Sequence, residues 1–89
     1  MSKKLAIILV NWNSYELTND TLHSLYQTSY QDYDIICVDN ASTDDSVLWL
    51  RSNYPEIEID VLEQNYGFTG GYNRGISRIN SALVVLLNS

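Results

Sequence analysis

Eighty-nine residues, 10.2 kDa, suffice for one small domain and fall short of two. A composition of 45% hydrophobic and 18% charged residues is that of a globular domain and argues against disorder. Five basic residues (Lys3, Lys4, Arg51, Arg74, Arg78) against eleven acidic ones give a formal charge of −6, so a nucleic acid would meet net repulsion and no basic stripe. The lone Cys37 has no internal disulfide partner, and the spaced Cys/His pairs of a zinc knuckle are absent, which points to a reducing, cytosolic setting. The first apolar run, residues 5–10, is too short for a signal-peptide core or a membrane span.

In chain order the pattern reads β-α-β-α-β-α-β. Residues 5–10, 34–38 and 83–87 are rich in Ile, Val and Leu without strict alternation, as expected of central parallel strands covered on both faces. Between the first two, Asn13-Ser14-Tyr15-Glu16 offers a capping-box-like start. Thr18, Leu22, Leu25, Tyr26 and Ser29 then share one helical face, so a helix is predicted from Glu16 to about Ser29. A short second helix, capped by Asp44 or Thr43, carries Val47, Leu48 and Leu50 and stops at Tyr54-Pro55. Ile57, Ile59 and Val61 alternate with Glu58 and Asp60, the mark of a strand nearer an edge. Gly70 or Thr69 opens a third helix bearing Tyr72, Ile76 and Ile79. The last apolar run, Leu83 to Leu87, enters a polar turn at Asn88-Ser89 and reads as a buried strand without its following loop, so a fragment of a longer protein is expected. The implied architecture is a three-layer α/β/α sandwich with a mainly parallel sheet, in which ligands bind beyond the carboxyl ends of the strands.

Each polar cluster falls at such an end. Asp39 closes an apolar strand, and its carboxylate is expected to project over the rim as an acceptor, with Asn40 beside it; Ser42 to Asp45 would cap the next helix. Asn11-Trp12-Asn13 offers an aromatic face between two amides, fit to flank a nucleobase, or equally to cover the sheet and cap. Gly67, Gly70, Gly71 and Gly75 cluster around the third helix, where glycine serves close approach to phosphate or tight helix-on-sheet packing. Their spacing matches neither the dinucleotide fingerprint nor the Walker loop. Arg74 could pair with a diphosphate or stand solvated. His23 reads as a surface or packing residue, and Cys37 as core.

Four stretches in register, residues 7–13, 38–44, 65–76 and 86–89, resemble the nucleotide-binding half of a family 2 glycosyltransferase, most similar to rhamnosyltransferase-like members. The resemblance implies a GT-A fold and transfer, with inversion, of a sugar from a dTDP- or UDP-linked donor to a hydroxyl on a glycan or lipid-linked acceptor. It assigns Val10, Asn11, Trp12, Asp39 and Asn40 to the base pocket, and Asn65, Gly67, Gly71, Asn73 and Arg74 to the ribose and diphosphate. Many relatives carry Ala-Arg-Asn where this chain has Gly71-Tyr72-Asn73. The metal-binding aspartates for Mg²⁺ or Mn²⁺ and the catalytic base would follow Ser89, so neither catalytic nor metal ligands are expected in residues 1–89, and the fragment alone should be inactive. Cytoplasmic placement, peripheral at the inner membrane face in full length, and self-association through the truncated edge complete these expectations. The competing architecture-only reading is a flavodoxin- or receiver-like signalling module using Asp39; a nicotinamide-binding Rossmann domain is disfavoured by the glycine spacing.

Overall fold

A computed structural model describes residues 5–29, 32–79 and 83–88. Among them run β1 (Leu5–Asn11), α1 (Tyr15–Tyr26), β2 (Tyr33–Asp39), α2 (Ser46–Asn53), β3 (Glu58–Val61), α3 (Gly67–Ile76) and β4 (Leu83–Asn88). The strands form one parallel sheet in the order β3-β2-β1-β4. The chain therefore steps outward from β1 to β3 and then returns to lay β4 against the other side of β1. That reversal puts the topological switch between β1 and β4.

The expected three layers are present. In β1 and β2 the even-numbered residues Ile8, Val10, Ile36 and Val38 join Leu62 in a core beneath α3, with Tyr72 and Ile79 packed on it. Odd-numbered Leu9 and Cys37 face the opposite way, into a core with Leu22 of α1, Leu50 of α2 and Ile57. Continuous apolar runs follow directly, because each parity has its own helical layer to meet. Cys37 lies in the core as expected, and β3 is an outer strand as its alternation indicated.

Three details differ from the sequence reading. The first helix ends at Tyr26, not near Ser29: the Gln27 and Thr28 N–H groups turn back to Ser24 and Leu25, and the Thr28 hydroxyl takes the Leu25 carbonyl as well. The third helix starts at Gly67, three residues before Gly70, because Asn40 brackets its first turn from the side. The last strand, expected to be central, is outermost, paired only with β1 among the described residues and exposing Val85 and Leu86. Val85 and Leu86 point to opposite faces and both are exposed, so at these positions the apolar run is covered on neither face. No helix among the described residues is long and apolar enough to cross a membrane.

Candidate functional site

The carboxyl ends of β1 and β2 lie side by side, with Asn11 in register with Asp39. Both side chains are odd-numbered and turn toward the α1/α2 layer, and both are fully buried. Asn11 Nδ2 donates to Asp39 Oδ1 at 2.8 Å and to Ser42 Oγ at 3.2 Å, while its Oδ1 accepts the hydroxyls of Thr18 at 2.7 Å and Ser14 at 3.3 Å. Asp39 Oδ1 also accepts the Ser42 hydroxyl at 2.7 Å, and Oδ2 the Ser42 N–H at 2.9 Å. The carboxylate expected over the rim thus points inside it, at 0% exposure. Its negative charge is held by three donors, the arrangement that makes a buried carboxylate tolerable.

Asn13 ties the same two loops together from outside. Its backbone sits in the left-handed region, φ 48°, which Asn tolerates better than most residues. Its Oδ1 accepts the N–H groups of Thr43 at 2.8 Å and Asp44 at 3.2 Å, and its own N–H donates to Ser42 Oγ at 2.9 Å. Its side chain therefore serves the neighbouring loop and leaves α1 without a side-chain cap bond. The N-cap of α2 is Asp45, without a side-chain cap bond, and not Asp44 or Thr43 as expected; Asp44, one residue earlier, accepts the Ser46 N–H at 2.9 Å.

Asn40, one residue on, is even-numbered and turns to the α3 layer. Its Oδ1 accepts the Tyr66 N–H at 3.2 Å and its Nδ2 donates to the Gly67 carbonyl at 2.9 Å, joining the β2 end to the start of α3. Gly71 permits this approach, since a Cβ there would stand 3.0 Å from Val10 Cγ1 and 3.1 Å from Asn40 Nδ2. Gly75 is tighter still, its Cβ position lying 2.7 Å from Ile8 Cγ2. At these two positions the packing role of glycine is the realised one.

Above this tied base opens a slot of about 90 Å³ lined by Trp12, Asn40, Asn65, Gly67 and Phe68. Trp12 and Phe68 supply aromatic surface at 50% and 53% exposure, and every lining side chain is neutral despite the −6 of the chain. Of the ten site residues named from the sequence, Trp12, Asn40, Asn65 and Gly67 meet here. Val10, Asn11, Asp39 and Gly71 lie buried beneath or behind it. Asn73 and Arg74 sit further along α3, outside the lining. The Arg74 guanidinium lies 6.0 Å from the Tyr66 ring centroid, and the Tyr66 hydroxyl donates to Glu63, whose carboxylate holds the phenol above its ordinary pKa. The residue the sequence reading missed is Phe68; an aromatic directly after the glycine of a strand-to-helix turn was the available signal.

A larger cavity, about 360 Å³, opens at the amino ends of β2 and β3 between Tyr26, Tyr33, Asp34, Glu56 and Glu58. Its groups largely serve one another and the fold: Tyr26 donates to Glu56, Tyr33 to the Leu25 carbonyl, and Glu58 pairs with Arg78. It lies at the end of the sheet opposite the strand-end loops, so the smaller slot is the better candidate. Among the described residues no group of three or more His, Cys, Asp or Glu could hold a metal ion. With Asp39 engaged internally, the residues present do not fit a divalent cation. The same burial counts against Asp39 as a phosphoacceptor, and the receiver-like reading is not favoured.

Fold and rim define an open α/β domain of the GT-A type. Residues 1–349 of S. aureus TarS superpose with a TM-score of 0.84 at 20% identity, over 96% of this chain and 27% of that one. The mannosyltransferase PcManGT from Pyrobaculum calidifontis, in complex with GDP-Man and Mn²⁺, gives 0.78 at 19% identity, over 99% and 28%. Residues 6–89 match the family model Glycosyl transferase family 2, and the chain belongs to that family. Sequence relatives include an uncharacterized glycosyltransferase of Nostoc sp. (25% identical over 97% of this chain and 28% of the relative). YwdF of Bacillus subtilis, an uncharacterized glycosyltransferase, is 29% identical over 93% and 31%. TuaG of the same organism, provisionally described as a teichuronic acid biosynthesis glycosyltransferase, is 28% identical over 96% and 35%. The chain thus spans between 28% and 35% of the length of these relatives.

Proposed function

We propose that the chain is the donor-binding portion of a glycosyltransferase, with the nucleobase of a nucleoside-diphosphate sugar held between Trp12 and Phe68. The observation that carries this reading is the neutral, aromatic-walled slot at the carboxyl ends of parallel strands, where open α/β sheets take their ligands. A base is neutral and flat, and stacking on aromatic rings is the interaction such walls offer. The diphosphate would then leave the slot along the amino end of α3, the positive end of that helix. GDP-Man in the PcManGT complex supports a nucleotide-sugar donor as the ligand class.

In the whole enzyme the sugar, a dTDP- or UDP-linked deoxyhexose such as rhamnose on the resemblance alone, passes with inversion to a hydroxyl of a glycan or lipid-linked acceptor. The relative named for teichuronic acid biosynthesis supports an envelope polysaccharide as that acceptor. In this reading the Mg²⁺ or Mn²⁺ that neutralises the departing diphosphate is held by ligands outside the described residues, and the work is done on the cytoplasmic side of the membrane. The chain's own residues bind and orient: Asn11 and Asp39 fix the rim, Asn13 and Asn40 fix the loops, and Trp12 and Phe68 meet the base.

Calorimetric titration of UDP, with saturation-transfer NMR on the base protons, tests the slot. Trp12→Ala and Phe68→Ala should each weaken binding by about 1–3 kcal/mol. Unchanged dissociation constants in both variants would remove the base from this position.

A further inference from the structure

We infer that the cavity at the amino ends of β2 and β3 is a second binding site, built for a small organic cation of the alkyldiamine class. It is separate from the slot and does not rest on the function proposed there. Acids on an open surface would be no more than solvated charge. Here Asp34, Glu56 and Glu58 share one cavity of about 360 Å³ with Tyr26, Tyr33, Ile35 and the buried Ile57, a volume within the range of small-molecule sites. The hydrogen bonds that tie this end of the fold together also decide what it can take. Each phenol has one proton to give, and both are spent within the protein, Tyr26 on Glu56 Oε2 and Tyr33 on the Leu25 carbonyl at 3.1 Å. Ionised carboxylates only accept. Arg78 directs both of its donors to Glu58 Oε2, so Oε1 of Glu58, like Oε1 of Glu56, keeps its lone pairs for a ligand. The side chains of the lining therefore call for hydrogen-bond donors. With three carboxylates, one of them paired with Arg78, and no basic residue in the lining, they also call for positive charge. A metal ion does not answer, since no three acids among the described residues converge to hold one. Charge spread around a cavity that also holds Ile35 and Ile57 suits an ammonium group at either end of an apolar stem, and tyrosine rings attract a cation at their faces.

Cadaverine is the probe, and pentanediol, with the same stem and hydroxyls in place of ammonium groups, is its neutral counterpart. In an NMR titration of the full-length protein at low ionic strength, cadaverine should move the amide signals of residues 33–35 and 56–58, and pentanediol should leave them in place. Added salt should weaken the binding. Glu56→Gln keeps an oxygen for the Tyr26 hydroxyl and removes one charge; the dissociation constant should rise about threefold, and about tenfold when Glu58→Gln is added. Both positions are exposed, so the fold bears the changes. If pentanediol moves the same signals as strongly, the cavity reads hydroxyls and the cation is overturned. If the shifts spread evenly over acidic positions elsewhere, such as Asp20, Asp44 and Glu63, cadaverine is only a diffuse counterion and the site is overturned. An undiminished affinity in the double variant overturns it as well.

Discussion

The two faces of the sheet are closed by opposite means. Toward α1 and α2 the space is filled with bulk: Leu22, Leu50, Trp49, Tyr54 and Leu25 pack on Leu9 and Cys37, and Trp49 bridges Tyr15 and Tyr54 at ring-centroid distances of 5.2 and 6.1 Å. Toward α3 the helix is drawn down onto the strands by missing bulk, with Gly71 over Val10 and Gly75 over Ile8. The first face can lose atoms at a graded cost. The second has no room to gain any, and it is the face that carries Asn40, Gly67 and Phe68 to the slot.

Substitutions should expose that contrast. Leu22→Ala, which empties the α1/α2 face at a fully buried position, should cost about 3 kcal/mol in urea unfolding. Gly75→Ala adds one methyl where there is no space and should cost about 1–2 kcal/mol. In a double-mutant cycle with Ile8→Ala the two should couple favourably by about 1 kcal/mol, because the second change makes room for the first. Additive costs would mean that α3 simply shifts outward. At neutral pH a third difference is silent. Burial, with the Asp39 charge adding to it, pushes the Cys37 thiol up to about 12 from 9.0. The unfolded chain then releases this proton from about pH 9 and the folded chain only near 12. The contribution of Cys37 to stability is therefore complete below pH 9 and lost as pH rises toward 12. Cys37→Ala should flatten that alkaline slope, measured by unfolding at stepped pH, and the native thiol should resist alkylation at pH 8. The smallest effect is expected at the surface between α3 and β3, where Arg78 pairs with Glu58 at 43% exposure on each side. Arg78→Ala should cost under about 1 kcal/mol and less in high salt.

Much of this was legible in the residues, and parity explains both what was read and what was not. The apolar runs at residues 5–10 and 34–38 announced strands covered on two faces, and the order of elements announced a layered parallel sheet. The same alternation, continued one step past each strand, sends Asn11 and Asp39 to one layer and Asn40 and Trp12 to the other. Asp39 read as the ligand-facing acceptor because it ends a strand; its burial depends on Asn11 standing opposite in register, a pairing between residues 28 apart. Helix ends were displaced for a similar reason, since Asn40 and Thr28 act on them through side chains that local propensity does not weigh. Phe68 became a wall of the slot only once the turn at Gly67, φ +75°, set its direction.

The asparagines at the rim carry one further consequence. Asn11, Asn13 and Asn40 join loops that follow three different strands, using amide groups whose donors and acceptors are matched within the protein. Trp12 and Phe68, separated by more than half the chain, are thus brought to one slot before any ligand arrives. The conformational entropy of shaping the slot is lost during folding, at the moment the sheet closes, and not again at each encounter. A ligand of the slot can then be taken up and released without its walls being remade each time.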